Sequence, residues 1–301
     1  MNRPTSHHLR IAGYLFLVAA TAIPAACASP TTPASSPAPK ASFDQALHDR
    51  LPQPVKNRGV LRVGTEASYA PMESFAPDGR TIIGAEPDLG TEMGRVLGVH
   101  VQITDTEFTD LVPKVTDGDL DLALSAMTDT PERSKITDFV DYFSAGTTIV
   151  VQRGNPAGVT GISDLCGKVV AAQRGTTQED LLARSQKNCG TKPIVVKKFP
   201  TNADTLVELR TARAVAVLND LPAAVFLVND PHTSSSYQLA STTQYEPGLY
   251  GIVVAKGQPR LRDAVQGALE ELMRSGVYAN VLSRWHVQAG AVTKITVNSN
   301  Q

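Results

Sequence analysis

The amino-acid sequence is that of an α/β protein built in two halves, each a parallel-rich sheet flanked by helices. Three observations point there. Strand-type and helix-type hydrophobic patterns alternate from residue 59 onward. The alternation runs as one series to about Leu124 and resumes as a second from about Ile162. Both series carry polar segments marked by glycine or proline directly after the strands, where open α/β sheets bind their ligands.

In chain order, Gly59-Val60-Leu61-Arg62-Val63-Gly64 is a short β-type run between glycines. Leu89, Met93, Val96 and Leu97 recur at helical spacing after Asp88, and Val99, Val101 and Ile103 alternate as a half-buried strand does. Leu111 and Val115 stand one turn apart before Gly118, and Leu120, Leu122 and Leu124 alternate again. This βαβαβ series calls for a parallel sheet covered by helices. The second series reads as strand 169–172, helix 178–186, strand 194–196, a helix marked by Leu206 and Leu209, and strand 214–218. Late in the chain come a strand, 251–255, and a helix with Leu261, Val265, Leu269 and Leu272 on one face, ended by Gly276. A last helix carries Val281, Leu282 and Trp285.

The composition is ordinary for a globular chain of 301 residues: 42% hydrophobic, with 28 Lys and Arg against 29 Asp and Glu. Without a basic run there is no electrostatic footprint for a phosphate backbone, so nucleic acid is not an expected partner. Met1 to Arg10 holds Arg3 and Arg10 and no acid, and an apolar run from Ile11 ends at Ala25-Ala26-Cys27. This is an export signal over 1–26, too short for a membrane span. A cysteine after small residues resembles a lipoprotein box, so Cys27 is expected to be lipidated, although Pro24 stands where leucine is usual. The alternative is an ordinary cleavage site with Cys27 incidental. Pro30, Pro33, Pro37 and Pro39 mark an extended spacer, and residues 27–56 are expected as a linker between anchor and body.

Three segments after strands are candidates for binding. Ser125-Ala126-Met127-Thr128-Asp129-Thr130-Pro131-Glu132-Arg133 follows strand 120–124. Thr130 suits an N-cap and Pro131 the first helical position, so a helix is expected with free N–H groups and the Arg133 fork in its first turn. That combination holds carboxylates. Gln173-Arg174-Gly175-Thr176-Thr177-Gln178-Glu179 follows the next half's first strand, with Thr176 and Glu179 as a capping box. Asn219-Asp220-Leu221-Pro222 follows strand 214–218; Asp220 either caps the helix opened by Pro222 or offers an acceptor to a ligand ammonium.

Taken together, the run Leu61 to Glu73, the Thr128-x-Thr-Pro-Glu-Arg133 segment, Gly175-Thr-Thr-Gln-Glu179 and the closing Trp285 resemble family 3 extracellular solute-binding proteins. These are polar-amino-acid receptors of ABC importers with the two-lobed type II periplasmic-binding-protein fold. The resemblance covers about residues 57–290. It implies two hinge crossings, near 145–149 and 241–249, with lobe 1 made of 57–146 plus 247–290, lobe 2 of 147–246, and 291–301 left as a C-terminal tail. It implies that Arg133 pairs with the ligand α-carboxylate, helped by Thr128 and the backbone of Ser125 and Ala126. Asp220 takes the α-ammonium. Thr176, Thr177 and Gln178 form the second lobe's side of the cleft beside Gln173, Tyr69 stacks on the ligand side chain, and Glu66 reads it.

Met72, Glu66 and Ala85-Glu86-Pro87 depart from the family pattern. A carboxylate at Glu66 disfavours acidic ligands and favours a donor-bearing side chain such as that of Gln, Asn, His, Arg or Lys. Cys166 and Cys189 are expected to be bridged in an exported protein, and no histidine partners them at metal-ligand spacing. The expected protein is a non-catalytic monomer without cofactor or metal, held at the outer face of the cytoplasmic membrane or in the periplasm, with an ABC permease and ATPase as partners. Two alternatives stay open. One is a sensory lipoprotein; the other is a cyclohexadienyl-dehydratase-like enzyme, for which Glu66 is the candidate acid.

Overall fold

Residues 39–299 are described by a computed structural model. The expected signal 1–26, Cys27 and the linker up to residue 38 lie outside the described residues. The described residues open with two short helices, α1 (Gln45–Arg50) and α2 (Gln53–Arg58), and Leu47, Leu51 and Val55 are buried there. Part of the expected linker is therefore docked core, held further by Arg260, whose guanidinium donates to the Asp49 and Arg50 carbonyls.

Next come β1 (Val60–Thr65), β2 (Ser68–Tyr69), β3 (Glu73–Phe75), β4 (Ile82–Ile83), α3 (Ala85–Leu97), β5 (His100–Asp105), α4 (Phe108–Asp117) and β6 (Leu122–Ala123). β7 (Thr137–Gln152) is followed by β8 (Val169–Gln173), α5 (Thr177–Ser185), β9 (Val195–Phe199), α6 (Asn202–Arg210), β10 (Ala216–Asp220), α7 (Leu221–Asn229) and β11 (Tyr237–Leu239). The chain closes with β12 (Tyr245–Ala255), α8 (Pro259–Arg274), α9 (Val277–Arg284) and β13 (Ala291–Val297).

The main sheet has the order β5-β1-β6-β12-β7-β10-β8-β9, and β11 and β13 also pair with β7. Its two flanks are parallel: β1 runs with β5 and β6, and β8 with β9 and β10. The centre is antiparallel, where the long strands β7 and β12 run side by side. Residues 137–145 of β7 pair with β12, whereas 147–151 pair with β10. The segments expected as hinge crossings lie in this ribbon and at its entry, between the two parallel flanks.

Hydrophobic side chains segregate accordingly. One large core joins Leu89, Met93, Val96 and Leu97 of α3 to Leu261, Val265, Leu269 and Leu272 of α8, and a smaller one holds Leu111, Val115 and Phe139. Two others gather Val170, Leu181, Leu182 and Leu218, and Val217, Leu209 and Ala224. The helical stripes legible in the sequence are the faces that α3 and α8 turn to the core. Cys166 and Cys189 are bonded, with Cα atoms 5.2 Å apart, and pack on the core of Val170 and Leu182.

Three expectations are corrected. The helix predicted from Thr130-Pro131 is a single 3-10 turn, Arg133–Lys135, because β7 begins at Thr137 and leaves room for no more. Residues 291–299 of the expected tail are docked on the body; β13 pairs with β7, and the Asn298 side chain is bonded to Phe139 and Asp138. The capping box is displaced: the Thr176 hydroxyl accepts from the Glu179 amide, but the Glu179 carboxylate accepts from Gly175 N–H, not from Thr176.

Candidate functional site

The carboxyl ends of the parallel strands converge on one small cavity. Glu66 follows β1, Ser125, Ala126 and Thr128 follow β6, Gln173 ends β8, Thr176, Thr177 and Gln178 open α5, and Asp220 ends β10. With Tyr69 and Arg133, all eleven residues expected to bind ligand line this cavity. Asn219, from the third candidate segment, also lines it, as do Glu73, Phe108, Asn202 and Leu218, which were not foreseen. Phe108 and Asn202 each stand three residues beyond a parallel strand, β5 and β9, so the strand-end rule that marks the others marks them as well.

Arg133 enters from the turn before β7. Its Nη1 donates to the Thr128 carbonyl at 2.7 Å and its Nη2 to the Gly175 carbonyl at 2.9 Å, while its guanidinium lies over the Phe108 ring, 5.5 Å from the centroid. Burial pulls its pKa down to about 10, opposed by the charges of Asp180 and Asp220. It therefore stays cationic at neutral pH and is close enough to Asp220 to feel it.

Asp220 occupies the N-cap position of α7 but makes no side-chain cap bond. Its carboxylate is instead turned to the cavity, where Oδ2 accepts from Tyr250 at 2.6 Å and from Tyr69 at 3.3 Å, and Oδ1 from Gln178 at 2.7 Å and Thr147 at 3.3 Å. Burial raises its pKa, and these donors counter the rise. Asp220 therefore does not cap α7 through its side chain, and its carboxylate accepts from four protein donors at the cavity.

Polar groups from the two flanks of the sheet meet at the cavity. Gln173 donates to Glu66 Oε2 at 3.0 Å, and the Asp220 amide donates to Tyr69 Oη at 2.7 Å. Burial raises the pKa of Glu66, countered by bonds from Ser68 and Gln173. Tyr69 lines the cavity while its hydroxyl is tied to Asp220. The Ala126 N–H, expected to help with a carboxylate, donates to Glu86 Oε1 at 2.8 Å, and Ala126 itself sits at φ 42°. Three carboxyl side chains, Glu66, Glu73 and Asp220, thus share the cavity with one guanidinium.

The sequence profile of the bacterial extracellular solute-binding proteins, family 3, matches residues 61–288. The arginine-binding protein ArgT of Corynebacterium glutamicum is 27% identical over 265 residues, covering 82% of this chain and 81% of its own. The L-cystine-binding protein TcyJ of Escherichia coli is 27% identical over 232 residues, 77% of this chain and 84% of its own. The solved structure of an ancestral arginine-binding protein bound to arginine superposes with a TM-score of 0.70 at 34% identity, covering 76% of this chain and 98% of that one.

Proposed function

This chain belongs to the bacterial extracellular solute-binding proteins, family 3, and on that premise we propose that it captures a cationic amino acid, arginine first, between its lobes. It is a non-catalytic extracytoplasmic receptor that serves an ABC importer, a role supported by the name of an Escherichia coli relative, "Putative ABC transporter arginine-binding protein 2". The observation that carries the ligand class is the make-up of the cavity: Arg133 is matched by Asp220, and a further acidic side chain, Glu66, shares the same space with no second cation beside it among the described residues.

A zwitterion satisfies the first pair. Its α-carboxylate sits against Arg133 and the Thr128 and Thr176 side, with the Thr177 and Gln178 wall opposite, and its α-ammonium against Asp220. Such charge-assisted bonds gain strength when closure removes water. The side chain then meets Tyr69, Gln173 and Glu66. An anionic side chain is repelled there, while a guanidinium or ammonium gives the carboxyl groups a partner. The names of the arginine-binding relatives support the same class.

The two sets of cores on either side of the β7–β12 ribbon support a lobe 1 of 57–146 with 247–290 and a lobe 2 of 147–246, the first core extending to Leu47, Leu51, Val55 and Ile295 beyond those limits. The protein acts as a monomer tethered through lipidated Cys27 after removal of 1–26, and the spacer expected over 28–42 holds the body off the membrane up to about residue 40, since Ala41 and Asp44 already bond to α3. Incorporation of radiolabelled lipid into the wild type but not into Cys27→Ser would establish the anchor. A purely sensory role is distinguished by the absence of uptake of the bound amino acid when the protein is supplied.

The direct test is a thermal-shift panel of the twenty amino acids, ornithine, citrulline, cystine and prephenate. The largest shifts are expected from arginine, lysine or ornithine, none from glutamate, and all are lost in Arg133→Ala and Asp220→Ala. A silent panel removes the receptor reading for amino acids, and a shift with prephenate alone moves the weight to an enzyme.

A further inference from the structure

Behind the cavity wall lies a pair of carboxyl groups that zwitterion capture leaves unused. Glu73, from β3, is 1% exposed and lines the cavity; Glu86, from the first turn of α3, is fully buried. Glu86 Oε1 accepts from the Ala126 amide and the Tyr142 hydroxyl, and Glu73 Oε1 accepts from the Ser125 hydroxyl at 3.3 Å. Among the described residues, no N–H or hydroxyl donor reaches Oε2 of either carboxyl. What remains is the contact of one carboxyl with the other.

Two ionised carboxylates cannot share a dry site, and one proton between them satisfies both. The donors decide where it sits. Glu86, with an amide and a phenol bonded to it, is the carboxylate; Glu73 is the acid. Burial first, then the charge of Glu86, hold Glu73 well above the ordinary carboxylate range. The groups facing the pair are Glu66 after β1, Tyr69 on β2, Ser125 after β6 and Tyr142 on β7, with Asp220 reached through Tyr69. The charges acting on Glu73 from Glu86 and Glu66 are both negative.

Glu73 is therefore an uncharged acid in the wall of the cavity. Taking that cavity as the site of a cationic side chain, a reading on which the idea depends, we propose that the Glu73–Glu86 pair discriminates ligands by proton release. Arrival of a guanidinium or ammonium side chain expels the shared proton from Glu73 to solvent, whereas a neutral side chain leaves it in place. No covalent bond changes besides the loss of that proton. Before binding, the pair carries one proton and one negative charge; afterwards it carries two negative charges, the ligand contributes one positive charge, and the proton is in bulk water. The charge enclosed in the cavity wall is the same before and after, which offsets the cost of burying the ligand cation. A neutral isostere gets no such exchange.

The experiment is titration calorimetry of the whole exported protein with arginine and with citrulline, which replaces the guanidinium by a neutral urea. Each is run at one pH in two buffers of different ionisation enthalpy, then across pH. Arginine is expected to release close to one proton and to bind up to about tenfold tighter per pH unit while the free pair holds its proton. Citrulline is expected to release about one proton fewer than arginine, because any release at Asp220 is common to both ligands, and to show a correspondingly shallower profile. In Glu73→Gln the excess release and slope for arginine disappear; because the wild-type comparison already decides the matter, a variant that fails to fold does not rescue the idea. Arginine binding with no proton release beyond that of citrulline, or an excess that survives in Glu73→Gln, overturns it. If no amino acid gives heat at any pH, the receptor reading itself has failed.

Discussion

Asp220 is held ready for a cation by the groups that surround it. Burial raises its pKa, and the hydroxyls of Tyr250, Tyr69 and Thr147 with the Gln178 amide counter the rise. The shortest of these bonds comes from Tyr250, which is itself fully buried, so Tyr250→Phe keeps the ring and deletes one donor to a charged group. Such a bond contributes roughly 1.5 to 3 kcal/mol. The expected result is ligand affinity weakened about 10- to 100-fold, with the loss larger at acidic pH, because the raised pKa of Asp220 rises further. The sign follows from the proton: a carboxylate that holds a proton cannot receive an ammonium, so affinity through this group falls as pH drops. Affinity equal to wild type at every pH would remove Tyr250 from the site's support.

Elements with a hydrophobic period were legible in the sequence and those without were not. α3 and α8 show their buried stripes directly. β7 does not, because 14 of its 16 residues are buried and several are polar, Asp138, Asp141 and Thr148 among them, so neither alternation nor an apolar run marks it. Ser125 to Thr128, Gln173 to Gln178 and Asp220 were legible because each lies at or just after a strand end, whereas Glu66 and Tyr69 were expected only from the resemblance. Glu73 and Glu86 were seen only as parts of a resemblance, because their meaning depends on a contact between two separate elements that no local pattern reports. Gly84 completes that contact. At φ 148° it lets α3 start against the Met72 carbonyl, where an added Cβ would lie 2.1 Å from the oxygen. The second lobe has a covalent constraint instead, with Cys166 and Cys189 23 residues apart. Replacing both by serine is expected to cost roughly 3 kcal/mol of stability in chemical denaturation on the chain-entropy model, with ligand affinity retained. A loss under about 1 kcal/mol would mean that the reduced lobe is constrained by its packing alone.

Across the protein, the two sides of the cavity are joined chiefly by polar contacts, Arg133 to Gly175, Gln173 to Glu66 and Tyr69 to Asp220. Each of these groups can equally bond water, so they bias the lobes toward closure only weakly, and a bridging ligand supplies the difference. Small-angle scattering is expected to show a smaller radius of gyration with arginine than without it, approaching the roughly 18 Å of a compact body of this length. An unchanged radius on saturation would mean that the lobes do not move on binding.

The unbroken run of β7 from one flank of the sheet to the other has a mechanical side. Any rotation of one lobe against the other must be absorbed as added or removed twist in a two-stranded ribbon whose rungs remain hydrogen-bonded. Gly146, at the change of partner, lies where a Cβ would meet Gln244 at 3.0 Å, and the ladder shifts register between Tyr245 and Gly248, so the ribbon is most compliant at its middle. Opening is then an elastic deformation with a restoring torque rather than free swinging about a pivot. The stiffness of a few backbone torsions, remote from every atom that touches the ligand, sets how long a captured amino acid stays.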